Sequence, residues 1–182
     1  MGRVTYSQAS DLLRAFPDPN TPKFFDMDGV LALYDWDAYT TVSRPGIKLY
    51  EDEHEHYFRT CTPDPVGISI LELFCRYGHR VYLLTAIRSD LPWIRYDKIY
   101  WLRKHIPWVD PSTRLIITSG DKVQAATARA KTAGLSKGMM LLDDFNPNLR
   151  DWELAGGTAV KYLNGVNTPG TGPAIQFDAR VF

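Results

Sequence analysis

Residues 23–35, KFFDMDGVLALYD, constrain this chain more than any other stretch. An apolar pair, Phe24-Phe25, runs into Asp26 and Asp28, spaced one residue apart. Gly29 and a second apolar stretch, Val30-Leu31-Ala32-Leu33, follow. At a separation of ~4 Å and an effective dielectric of ~20, two like charges repel by roughly 4 kcal/mol. A short hydrophobic run that ends on two carboxylates therefore points to a cation to be held or a proton to be shared.

The remainder of the chain is read for what it brings to that point. At 182 residues it is expected to form one domain, 1–182, with room for a small insertion. Formal net charge is zero, so no general attraction to nucleic acid or to an anionic membrane is indicated, and only a local basic patch would provide one. No apolar stretch approaches the ~20 residues that span a bilayer. The opening MGRVTYSQASDLLRAF has no signal-peptide apolar region. Two cysteines, Cys61 and Cys75, stand outside any CxxC pattern, which sets a reduced, cytoplasmic location as the expectation, with both thiols structural.

The pattern predicts a helix over 5–16, capped by Thr5 or Ser7 and apolar at Leu12, Leu13 and Phe16, before the proline-rich 17–22 stops it. A first strand follows at 23–28. Residues 34–66 are polar, aromatic and turn-rich with no sustained period; structureless loops above ~12–15 residues are uncommon, so this stretch reads as a small inserted cap. Next come a helix at 64–77 with Gly78 as C-cap, a strand at 80–86, a helix at 92–105 and a strand at 114–119. A helix at 121–133, a strand at 138–144, a helix at 147–155 and a strand at 156–163 complete the alternation, and AIQFDARVF near the end is expected to add an edge strand or pack irregularly. Alternating strands and helices predict an α/β, doubly wound, three-layer sandwich with a mainly parallel sheet. Right-handed crossovers then place all strand C-terminal ends on one edge, where ligands of such sheets bind.

That edge collects Asp26 and Asp28 from the first strand, Thr85 from the second, Lys122 after the third, and Asp143 and Asp144 from the fourth. All-oxygen ligation around clustered carboxylates suits a hard cation, and Mg²⁺ in particular prefers to share a phosphate. There is no GxxxxGK[ST], and no GxGxxG follows the first strand, so neither a P-loop nor a dinucleotide site is expected. Asp143-Asp144 has a second reading, as the cap of the helix that starts near Asn146-Pro147.

DMDGV, Thr85 closing LLT, Lys122 of SGDK, and LLDD resemble the four motifs of the haloacid dehalogenase-like phosphohydrolases, in order and spacing across 23–163. Within that superfamily the chain looks most like the small 5'(3')-deoxyribonucleotidases, which carry a short helical cap; their second motif often reads TSP, where this chain has Thr85-Ala86-Ile87. The resemblance implies that Asp26 is the nucleophile forming an aspartyl-phosphate and that Asp28 is the general acid and base. It implies that Thr85, Ala86 and Lys122 hold phosphoryl oxygens. Asp26, the Asp28 carbonyl, Asp144 and, in support, Asp143 would bind Mg²⁺. A carboxylate two residues after the nucleophile favours hydrolysis of a phosphate ester, since it can protonate the leaving oxygen and later deprotonate water.

Trp36, Tyr39, Tyr50, Tyr57 and Phe58 in or beside the cap are candidates to stack on a base, and Arg88, just after the second motif, to reach the phosphate. His54 and His56 alternate as on an exposed cap surface, and the aromatics of 93–108 are expected in the core. The expected function is a Mg²⁺-dependent phosphomonoesterase, foremost a nucleotidase. The expected partner is a small phosphorylated substrate, with a homodimer as a candidate assembly and neither membrane nor extended nucleic acid. Three alternatives stay open: a phosphatase for a sugar phosphate or similar ester, a catalytically silent binding module on the same fold, and a polynucleotide 3'-phosphatase.

Overall fold

The structure is a computed structural model that describes residues 4–33, 56–165, 172–173 and 175–181. Seven strands form one sheet in the order β1 (Val4–Tyr6), β9 (Ile175–Asp178), β8 (Thr158–Leu163), β7 (Met140–Asp143), β2 (Lys23–Phe25), β5 (Val81–Ala86), β6 (Leu115–Thr118). Every neighbouring pair in it is parallel. The chain begins its doubly wound path at β2 and turns to one side for β5 and β6, then to the other for β7 and β8. The crevice at this reversal opens beside the end of β2, where α/β sheets bind ligands.

Alternation along β2 divides the core. Phe24 faces one side of the sheet, where it stacks on Tyr82 with centroids 5.6 Å apart and meets the edge of Trp152 at 5.2 Å. Phe25 faces the other and meets Phe74 at 5.6 Å. The Phe24 face is covered by α6 (Lys122–Ala130) and α7 (Asn146–Leu154), through Ala126, Ala130, Leu149 and Trp152. The Phe25 face is covered by α1 (Ala9–Ala15), α3 (Pro65–Arg76) and α4 (Trp93–His105), through Leu12, Leu71, Phe74, Ile94 and Trp101, and the single-turn α5 (Pro111–Arg114) follows α4. Strands buried on both faces read as continuous apolar runs, as KFF, VYLLTA and MLLD do.

The expected cap at 34–66 is described only at its ends; residues 34–55, with Trp36, Tyr39, Tyr50 and His54, lie outside the described residues. The chain leaves through β3 (Ala32–Leu33) and returns through α2 (Tyr57–Thr60) and β4 (Thr62–Pro63), and β3 and β4 pair antiparallel. This two-stranded clasp fixes exit and return side by side. The next helix, α3, already starts at Pro65, because Asp64 caps it by accepting from the amides of Val66 at 2.8 Å and Gly67 at 3.4 Å.

The chain ends differ from expectation. Residues 4–6 form β1, and the first helix starts only at Ala9 with no side-chain cap from Thr5 or Ser7. The C-terminal segment is no edge strand: β9 lies between β8 and β1, and β1 takes that flank. Such short strands carry little local signal; their state is decided by the neighbour that takes up their backbone hydrogen bonds. Helix α6 ends at Ala130 rather than near 133, since Lys131 adopts the left-handed conformation at φ 58° and its amide bonds back to Thr127 and Ala128. The fold places Cys61 in the core and leaves both cysteines as free thiols. No described helix is long and apolar enough to cross a membrane.

Candidate active site

Asp26 follows β2 directly, and its amide donates to Leu142 of β7 at 2.8 Å, so the side chain emerges at the crevice between the two strands. It is almost fully buried, at 4% exposure. Its Oδ1 accepts from the Met27 amide and from Lys122 Nζ, both at 2.8 Å. Lys122 reaches it because Asp121 caps α6 through the Gln124 amide at 2.9 Å, which makes Lys122 the first residue of that helix. The same ammonium bonds Asp143 Oδ2 at 2.8 Å.

Asp143 is fully buried and held on every side: besides Lys122 it accepts from the Phe145 amide at 2.8 Å and from Asn148 Nδ2 at 3.0 Å. The residue at the cap position of α7 is Phe145, whose side chain makes no cap bond, so the capping reading of Asp143-Asp144 is replaced by this turn contact. Asp144 accepts from Asn164 Nδ2 at 3.0 Å, and Asn164 also donates to the Gly29 carbonyl at 2.8 Å. Gly29 itself sits at φ +73°, and a Cβ there would lie 2.1 Å from Asp144 Oδ2. Only glycine permits both the turn and that approach.

Carboxylate oxygens of Asp26, Asp143 and Asp144 lie within 4.8 Å of one another. Burial, then the charge of Asp143, raises the proton affinity of Asp26 well above the ordinary carboxylate value, against the pull of Lys122. Burial and Asp143 likewise push Asp144 up to about 7, despite its bond from Asn164. Burial alone would lower the pKa of Lys122; the charges of Asp143 and Asp26 outweigh it and hold the ammonium protonated above the ordinary lysine value. One ammonium thus bridges two carboxylates while the third remains crowded. This all-oxygen, excess-acid set fits a hard divalent cation.

Asp28 is not in that cluster by its side chain. Its Oδ2 accepts from the Thr85 hydroxyl at 3.0 Å and from the ammonium of Lys98. Thr85, fully buried at the end of β5, accepts in turn from Lys98 Nζ at 2.6 Å, and the Ala86 carbonyl accepts from the same ammonium at 3.1 Å. Arg88, Tyr57 and Phe58, expected to touch substrate, have partners within the protein. Arg88 pairs with Asp90 through the Nε–Nη2 edge of its guanidinium, at 3.2 and 2.7 Å. Tyr57 and Phe58 are buried in the Phe25-side core, and the Phe58 ring lies 4.6 Å from Lys98 Nζ. His56 bonds Asp97 at 2.9 Å.

Lys98, Asn148 and Asn164 fall outside the four sequence motifs. Asn164 directly follows a strand and so belongs to the same sheet edge. Lys98 has a fainter signature: the buried stripe of α4 runs Ile94, Asp97, Lys98, Trp101, Leu102, a helical spacing in which two charges occupy core positions.

No protein-family model matches the sequence, and no curated protein does. Solved structures match across most of the chain. A protein named as a haloacid dehalogenase-like hydrolase from Bacteroides fragilis superposes with a TM-score of 0.62 at 16% identity, over 89% of this chain and 98% of that one. A hydrolase from Pseudomonas syringae gives 0.61 at 14%, over 88% and 94%. A protein named as a beta-phosphoglucomutase from Thermotoga maritima gives 0.57 at 15%, over 87% and 94%. The chain shares its α/β fold with these proteins.

Proposed function

We propose that the protein is a Mg²⁺-dependent phosphomonoester hydrolase that works through an aspartyl-phosphate on Asp26, with a nucleoside monophosphate as its substrate. The observation that carries this reading is the Lys122 ammonium bridging Asp26 and Asp143 at 2.8 Å beside Asp144, with Asp28 held separately at the same strand end.

Oδ1 of Asp26 carries both of its hydrogen-bonding contacts, which leaves Oδ2 as the attacking oxygen. In the first step Oδ2 forms a bond to phosphorus while the ester P–O bond breaks, and Asp28 gives its proton to the departing alkoxide. In the second, water attacks the phosphorus, Asp28 takes a proton from it, and the Asp26–phosphorus bond breaks to release phosphate. Lys122 offsets charge on the transferring group throughout. Asp26, Asp144, the Asp28 carbonyl and, in support, Asp143 would hold the Mg²⁺ ion. When bound, the ion lessens the repulsion between an anionic nucleophile and an anionic phosphate.

The choice of a nucleotide rests on the motif resemblance to the small deoxyribonucleotidases. A sugar phosphate is the second reading, favoured by the structural likeness to the protein named as a beta-phosphoglucomutase. Phosphate release over a panel of nucleoside monophosphates and sugar phosphates, with Mg²⁺ and with chelator, tests both. Turnover with nucleotides that chelator abolishes is the expected result; a preference for sugar phosphates moves the substrate to the second reading, and no release from any ester removes the hydrolase.

A further inference from the structure

Lys98 lies outside the four motifs, yet its ammonium meets Asp28 and Thr85, which belong to two of them. The residue has no exposed surface. An ammonium offers three N–H donors and no acceptor. Lys98 meets three oxygens: Asp28 Oδ2, Thr85 Oγ1 at 2.6 Å and the Ala86 carbonyl at 3.1 Å. The Phe58 ring lies 4.6 Å from Nζ. Its donors are thus matched within the protein, unlike those of a lysine awaiting a phosphate. Asp28 Oδ1, by contrast, is buried and without a hydrogen-bond partner among the described residues.

We infer that Lys98 is the positioning residue for Asp28. Together with Thr85 it clamps Oδ2, so that Oδ1 is the oxygen that carries the proton between carboxyl and ester. The helix turn that carries Lys98 is itself anchored: its neighbour Asp97, also fully buried, bonds His56 Nδ1 at 2.9 Å and Arg59 Nε at 2.5 Å. Those two residues belong to α2 and its N-cap. Asp97 and Lys98 thus join α2 to the proton-transferring carboxyl through one helical turn.

This inference deepens the hydrolase reading and rests on it, and a leaving-group comparison separates the two. A nitrophenyl oxide departs without a proton, whereas the alkoxide of a nucleoside 5'-monophosphate needs one. The ratio kcat/KM covers steps only as far as phosphoryl transfer to Asp26. Lys98→Met, similar in length and without the charge, is expected to lower kcat/KM for the nucleotide by about 100-fold and for p-nitrophenyl phosphate by less than about tenfold. In an Asp28→Asn background it is expected to lower the nucleotide value by less than about threefold further, since both changes remove one function. Equal losses on the two esters, or full addition onto Asp28→Asn, would overturn the inference while leaving the hydrolase intact. A wild-type protein that hydrolyses neither ester removes the hydrolase reading and the inference with it. Circular dichroism checks each variant for folding; should the Met variant not fold, Lys98→Gln goes through the same cycle against the same outcomes.

Discussion

In its proposed role as nucleophile Asp26 would attack only while ionised, and its surroundings pull both ways: burial and Asp143 favour the proton, Lys122 opposes it. Asp26→Asn keeps an oxygen to accept from the Met27 amide and loses the nucleophile. Turnover is expected to fall at least about a thousandfold with the fold retained, as read by phosphate release and thermal unfolding. Gly29 is the steric counterpart. A Gly29→Ala side chain meets Asp144 Oδ2 at 2.1 Å on a backbone at φ +73°. The left-handed conformation alone costs about 1–2 kcal/mol, and Asp144 has to move as well. Gly29→Ala is therefore expected to lower thermal stability and to weaken Mg²⁺ binding together, measured by thermal melts and by calorimetric titration.

Among the elements, α3 shows how a site is held from behind. Its cap, Asp64, accepts from two helix amides and from the Tyr162 hydroxyl of β8 at 2.7 Å, and its own amide donates to Leu31 at 2.8 Å. Burial and the Asp64 charge push the Tyr162 hydroxyl pKa well above the usual tyrosine value, so the hydroxyl stays a donor. Gly67 permits the closeness, since a Cβ there would lie 1.9 Å from the Val30 carbonyl. Asp64→Ala is expected to cost about 2–3 kcal/mol in urea unfolding, from a lost cap and a lost buried acceptor. Helix α3 was legible because Pro65 at its start, the apolar spacing and Gly78 after it all agree. Its buried face runs Gly67, Ile70, Leu71 and Phe74, with Ile68 half-buried beside it. Strand β1 was not legible, because three residues with a mixed pattern acquire strand geometry only beside β9.

At the scale of the whole molecule, the site sets a balance between pH, cation and stability. Asp144 has its pKa raised from 3.8 to about 7. A carboxyl raised on folding contributes its stability fully below the unfolded value and loses it as pH rises through the folded one. Without cation, the Asp144 contribution therefore declines between about pH 4 and 7. A divalent ion binds the ionised form, so Mg²⁺ is expected to raise the melting temperature more at pH 8 than at pH 6. Thermal melts at both pH values, with Mg²⁺ and with chelator, check this; an equal rise at both would mean that Asp144 does not take part.

By itself the sequence determined the alternation of strands and helices, the parallel sheet, and the convergence of Asp26, Asp28, Thr85, Lys122, Asp143 and Asp144 on one sheet edge. Each of these rests on local pattern plus the handedness of crossovers, which every right-twisted parallel sheet shares. Only the tertiary structure decided that β9 lies inside the sheet, that Phe58 faces a lysine, and that Lys98 holds Asp28 across 70 residues of chain. A lysine in a helical pattern reads as solvated, because local pattern reports a residue's neighbours along the chain. Whether its ammonium meets water or a buried carboxylate depends on what the fold lays against that helix, and here it is the end of β2.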